Sequence, residues 1–150
     1  MLRDRISTLA LDKPLTVESG TSVGRVLERV QSRAVGCVAV LAAGNLIGIM
    51  TERDVLMKIV ARDVDYKEPV DQFMTPAPLT LTPDKTIGDA INMMNEHNFR
   101  HVPIIDPETN RPVAIFSIKD VINLVAESFP EQVLNLPPRP HQKMETPEGA

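Results

Sequence analysis

One cysteine, no tryptophan and an aromatic content of 3% leave this 150-residue chain few ways to be stapled or redox-active. The lone Cys37 has no internal partner for a disulfide, the usage of a reducing compartment. Hydrophobic residues nevertheless make up 43% of the chain, so its core has to be aliphatic, built from Val, Ile, Leu and Met. No two Lys or Arg residues are adjacent and the formal net charge is −4. The basic stripe that supplies most nucleic-acid affinity is missing, which excludes that class of partner. No stretch approaches the roughly 20 apolar residues of a membrane span. The charged start Met1-Leu2-Arg3-Asp4-Arg5 is unlike a signal peptide. There is no phosphate-binding loop, dinucleotide fingerprint or hydrolase elbow. His97 and His101 lack a second Cys/His pair to complete a metal site. The expectation is a cytoplasmic protein, not an enzyme, with no metal and no membrane association.

What the chain does have is repetition. Pro14-Leu15-Thr16-Val17 returns as Pro78-Leu79-Thr80-Leu81, 64 residues on. Thr51-Glu52-Arg53-Asp54-Val55 returns as Ser117-Ile118-Lys119-Asp120-Val121, 66 residues on. Two copies of one supersecondary unit are implied, packed with pseudo-twofold symmetry around a cleft suited to a small ligand. Each copy predicts an extended segment after a proline (Leu15 to Val17; Leu79 to Leu81) and then an amphipathic helix (Ser22 to Ser32; Thr86 to Glu96). Thr86 and Asp89 have capping-box spacing. A hairpin follows, with strands Val35 to Leu41 and Leu46 to Met50 in the first copy. The second copy has Val102 to Ile105 and Pro112 to Phe116, with the two extra residues in its turn. A second helix closes each unit, Glu52 to Ala61 and Ile118 to about Glu127. Short lead-ins also pair, Leu2, Ile6 and Ser7 with Val70, Met74 and Thr75. The boundaries are therefore 1–66, 67–129 and a polar, proline-rich tail, 130–150, whose composition predicts disorder.

The chemistry lies where each return strand runs into its closing helix, in Gly48-Ile49-Met50-Thr51-Glu52-Arg53-Asp54 and Ala114-Ile115-Phe116-Ser117-Ile118-Lys119-Asp120. A hydroxyl at a helix N-terminus sits beside free N–H groups and the positive end of the dipole, a setting for an anion. A carboxylate one turn along accepts from paired hydroxyls such as a ribose diol. The spacing fits a nucleoside phosphate. It equally fits two N-caps with acidic residues in the first turn, and duplication would duplicate caps as readily as sites.

The pattern resembles a pair of CBS domains, the tandem arrangement called a Bateman module, over roughly residues 2 to 128. The hydroxyl-x-x-Asp motif occurs twice in order, and Phe73-Met74-Thr75-Pro76 and Arg100-His101-Val102-Pro103-Ile104 also resemble family segments. The resemblance implies an α+β fold of two pseudo-twofold-related β-α-β-β-α repeats packed sheet to sheet. It further implies a homodimer and a regulatory role, with an adenosine-containing ligand between the copies. By the same resemblance Asp54 and Asp120 hold ribose, and Thr51 and Ser117 meet phosphate. Thr16 and Thr80 contribute backbone contacts to the base, and Arg100 and His101 face phosphates. Arg53 and Lys119 add charge, which favours AMP or ATP over S-adenosylmethionine. Because Gly36-Cys37 stands where the second copy has Arg100-His101, the two sites are expected to be unequal. A client protein is the implied recipient of the signal. The alternative is a ligand-free dimerisation or scaffold module in which both motifs are only helix caps.

Overall fold

In each copy a capped helix separates a short extended segment from a hairpin. The computed structural model describes residues 1–128, so the proline-rich stretch 130–150 lies outside the described residues. Ser22 accepts from the Arg25 N–H and starts α1 (Val23–Arg33). Thr86 and Asp89 form the reciprocal capping box that starts α3 (Ile87–His97). Both helices stop at a residue in the left-handed region, Ala34 (φ 52°) and Asn98 (φ 57°).

In the first copy β1 (Thr16–Glu18) pairs in parallel with β2 (Cys37–Ala42), which turns back into β3 (Asn45–Thr51). The turn is Ala43-Gly44, both at positive φ, the two-residue geometry that matches strand twist. A further strand, β4 (Thr75–Pro76), comes from the second lead-in and adds to the far edge of β3. The second copy pairs β5 (His101–Ile105) with β6 (Pro112–Ser117). Its extended segment makes only one bridge, Leu81 to Ile104, instead of a strand over Leu79 to Leu81. The reason is covalent: in the first copy the Ala39 N–H donates to the Leu15 carbonyl at 2.9 Å, and the equivalent residue, Pro103, has no N–H to give. Leu79 is consequently 43% exposed, whereas Leu15 is 2%.

The closing helices are α2 (Glu52–Asp54), which continues as a π-helical turn over Val55–Val60, and α4 (Ile118–Ser128). No helix among the described residues is long and apolar enough to cross a membrane.

The lead-ins are exchanged between the copies. Ile6 N–H donates to Lys85 O (2.8 Å), and Val70 N–H donates to Thr21 O (2.8 Å). Ile87 and Gly88 donate to Asp4 and Leu2, just as Val23 and Gly24 donate to Glu68 and Tyr66. These reciprocal bonds establish the pseudo-twofold relation and pair Leu2 with Tyr66 and Ile6 with Val70. The pairing of Leu2, Ile6 and Ser7 with Val70, Met74 and Thr75 is thus corrected by four residues. Backbone bonds to the other copy set this register, and a short lead-in carries no periodicity that reveals them.

The cores follow the exchange. Val70 and Phe73 join Leu15, Val17, Val23, Val26, Val38, Val40, Met50 and Ile59 in one aliphatic cluster. Ile6 joins Ile87, Ala90, Met94, Val102, Ile104, Ala114 and Phe116 in the other. Each such fully buried side chain contributes about 1.5–3 kcal/mol, so each copy is held in part by residues from the other's segment. The result is an α+β fold of two β-α-β-β-α repeats packed sheet to sheet.

Candidate functional site

Strands β3 and β6 end at Thr51 and Ser117, and each hydroxyl caps the helix that follows. Asp54 N–H donates to Thr51 Oγ1 and Asp120 N–H to Ser117 Oγ, both at 3.3 Å. In return the Asp54 Oδ2 accepts from the Thr51 N–H (2.9 Å) and hydroxyl (3.2 Å). Asp120 Oδ2 accepts from the Ser117 N–H (2.8 Å) and hydroxyl (3.0 Å). To this point the two motifs are the same object.

They differ in what else reaches the carboxylate. Asp54 is 6% exposed. Its Oδ1 meets the Lys58 ammonium at 2.9 Å, and the Thr75 hydroxyl donates across both oxygens at 3.0 and 3.1 Å. Lys58 also reaches the Met74 carbonyl at 3.4 Å. Asp120 is only half-buried, and its Oδ1 has no hydrogen-bond partner among the described residues. The positions equivalent to Lys58 and Thr75 are Leu124 and Leu11, which carry no donor.

Two clefts between the copies contain these groups. One, of about 750 Å³, is lined by Thr51, Arg53, Asp54 and Thr75 together with Pro78, Leu79, Phe99, Arg100 and His101. The other, of about 860 Å³, is lined by Ser117, Lys119 and Asp120 together with Lys13, Pro14, Arg33, Val35, Cys37, Arg100, His101 and Ile115. Most of their linings correspond position by position under the pseudo-twofold relation. The clefts therefore divide the sequence candidates: Thr51, Arg53 and Asp54 fall in the first, Ser117, Lys119 and Asp120 in the second, and Arg100 and His101 in both. Thr16 and Thr80 line neither; the Thr16 carbonyl accepts from the Arg29 guanidinium at 3.1 Å. Their neighbours Pro14 and Leu15, and Pro78 and Leu79, are the lining residues.

Charge separates the clefts further. The Asp120 cleft is lined by Lys13, Arg33, Arg100 and Lys119 against Asp12, Glu52 and Asp120. The Asp54 cleft has Arg53 and Arg100 against Glu52 and Asp54. Lys13 and Arg33 are not among the residues the sequence singles out, since the copies were set side by side only at 36/100, 37/101, 39/103 and 48/114. Extending the comparison would have set Arg33 beside His97 and Lys13 beside Ala77. His101 is half-buried between the copies, and desolvation holds its pKa below the ordinary value of 6.5 despite Glu52 and Asp120 nearby. A Cβ on Gly36 would lie 2.9 Å from Glu52 Oε1 and 3.4 Å from His101 Nε2, so a bare backbone there makes room for both side chains. Burial, reinforced by Asp54 and Glu52, pushes the Cys37 thiol up to about 12; it packs as a small hydrophobe.

The comparisons agree with this architecture. The family profile "CBS domain" matches residues 6–61 and again 70–127, and the chain belongs to that family as a tandem pair. It is 30% identical over 118 residues to an uncharacterised 17.7 kDa protein of Acidianus ambivalens, covering 78% of this chain and 70% of that one. It spans about a fifth of the length of CBS domain-containing proteins of Arabidopsis thaliana that it matches at 30% identity. Among solved structures, CBS domain protein PAE2072 from Pyrobaculum aerophilum, complexed with AMP, superposes with a TM-score of 0.73 at 23% identity, over 83% of this chain and 99% of that one. The CBS domain pair of protein MJ0100, in complex with 5′-methylthioadenosine and S-adenosyl-L-methionine, gives 0.75 at 21% identity, over 83% and 98%.

Proposed function

We propose that this CBS domain pair is a regulatory module that binds an adenosine-containing ligand and passes its occupancy to a client protein. AMP, ADP or ATP would bind in the Asp120 cleft. The observation that carries the reading is the free Asp120 Oδ1, set one turn into an 11-residue helix and opening on a cleft of about 860 Å³. A ribose diol needs such an acceptor, with lone pairs not already spent. Ser117 and the first turn of α4 suit a phosphate, since helix N-termini favour anions. Lys13, Arg33, Arg100 and Lys119 supply the positive charge around it. That charge favours a phosphorylated ligand over the sulfonium of S-adenosylmethionine. Val35 and Ile115 offer apolar surface for the base. The adenosine ligands in the two solved relatives support the same class. The module acts by differential affinity: nucleotide stabilises one arrangement of the two halves, or of two subunits, over another.

The assembly in this reading is a homodimer through the closing helices. Leu56, Met57 and Val60 on one, and Ile118, Ile122 and Val125 on the other, are large exposed apolar side chains. A cap-only scaffold is favoured at one motif, Asp54, whose carboxylate is already filled by protein donors.

Calorimetric titration of the purified protein with AMP, alongside its light-scattering mass, tests both points. The expected result is AMP binding that Asp120→Ala removes while the fold survives, in a particle of two chains. No heat from AMP, ATP, NADH or S-adenosylmethionine would overturn the ligand reading, and a mass of one chain would overturn the dimer.

A further inference from the structure

Lys58 is the one cation that pairs with a hydroxyl-x-x-Asp carboxylate among the described residues, and nothing in the repeat requires it. It stands four residues after Asp54, and the residue four after Asp120 is Leu124. From the helix side it holds Asp54 Oδ1 at 2.9 Å and reaches across to the Met74 carbonyl of the second lead-in at 3.4 Å. Thr75, the next residue of that lead-in, closes the remaining acceptor positions of the carboxylate. The lead-in is itself pinned by pairing of Thr75 with Ile49 and Pro76 with Gly48. In the other copy Leu11 replaces Thr75, and no strand of the first lead-in pairs with β6. A carboxylate has about four acceptor positions. Those of Asp54 are taken by Thr51, Thr75 and Lys58, so a ribose diol could enter only by displacing one of these donors.

Resting on the reading of the clefts as nucleoside sites, we infer that Lys58 is a specificity-determining residue. With Thr75 it closes the Asp54 cleft to ribose, so that the chain takes up one nucleotide, in the Asp120 cleft. Duplication produced two equivalent carboxylates, and one has been converted from a ligand acceptor into a tie between the copies.

AMP titrations by calorimetry on the full chain test this, using wild type, K58L, and K58L/T75L, which places in the Asp54 cleft the residues found at 124 and 11. Circular dichroism establishes that each variant is folded. The wild type is expected to bind one AMP per chain, and K58L or the double variant a second, weaker one that further substitution of Asp54 by Ala removes. In the reverse direction L124K should weaken AMP at the Asp120 cleft at least tenfold by pairing with its free oxygen. Two AMP per wild-type chain would overturn the role of Lys58 while leaving the nucleotide reading intact. Folded K58L and K58L/T75L that still bind one AMP would overturn it in the same way. No AMP bound by any of the proteins would overturn both.

Discussion

Asp54 and Asp120 sit one turn into equivalent helices, each three residues after a hydroxyl that it caps and is capped by, yet they have different partners. Asp54 is buried and receives Lys58 and Thr75 in addition to Thr51; Asp120 is half-buried and keeps an oxygen free. The backbone geometry of the motif is common to both, so the difference arises from what lies opposite. A lead-in carrying Met74 and Thr75 is hydrogen-bonded along β3 in one case. A lead-in carrying Ala10 and Leu11 runs unpaired past β6 in the other. A duplicated unit can therefore separate its two carboxylates, one filled by protein donors and one with an acceptor left open, without changing the motif itself.

The largest consequence should appear in stability. Asp54→Ala leaves the Lys58 ammonium and the Thr75 hydroxyl without their acceptor and removes the carboxylate half of the capping box, a loss of about 3 kcal/mol even though Lys58 is about one-third exposed. Asp120→Ala removes only the cap interaction with Ser117, about 1 kcal/mol. Urea unfolding of the two variants measures the difference, and equal losses would erase the distinction between the clefts.

Gly48 probes the same contrast at the sheet. A Cβ there would overlap Met74 Sδ and come within 3.0 Å of the Thr75 carbonyl, so Gly48→Ala should cost about 1–2 kcal/mol by overpacking. Ala114 is the natural residue at the equivalent position, facing a lead-in with Ala10 in place of Met74. Met74→Ala in the Gly48→Ala background should cost less than the sum of the single changes. Strict additivity in thermal melts would show that the lead-in does not press on β3.

The smallest effect is in pH. Desolvation depresses the pKa of His101, so between that value and 6.5 the unfolded chain binds more protons than the folded one. Stability from this source is therefore complete above about pH 7.5 and falls as pH drops through 6.5. The loss should be small and absent in His101→Gln. A pH 5.5–7.5 stability profile unchanged by that substitution would remove His101 from the account. Because His101 lines both clefts, phosphate set beside it would raise its pKa, and AMP binding measured in buffers of different ionisation heat should show proton uptake that His101→Gln removes.

Much of this could be read along the chain. Apolar stripes at three and four placed α1 and α3 to within one residue at each end, with Ser22 and Thr86 as the caps just before them. Continuous aliphatic runs on either side of Ala42-Ala43-Gly44-Asn45 gave the first hairpin. Elsewhere long-range partners overrode the local pattern. The segment Leu79 to Leu81 looks as extended as Leu15 to Val17, but its strand is cut to one bridge by a proline 22 residues past Leu81. The lead-ins were mispaired by four residues because bonds to the other copy set their register. Lys13 and Arg33 carried no motif, Thr75 lay in a family-like segment and Lys58 four residues after Asp54, but their meaning depends on which carboxylate or cleft they meet.

The sequence by itself determined the duplication, the aliphatic core, the capped helices and the pair of hydroxyl-x-x-Asp motifs, because each depends on spacing within a few turns or on a repeat that can be counted. Only the tertiary structure decided that the lead-ins cross between the copies and that Thr75 closes on Asp54 while Asp120 keeps an acceptor free. Hydrogen bonds between residues 21 to 86 positions apart in the chain leave no periodicity; they exist once folding has brought donor and acceptor within about 3 Å.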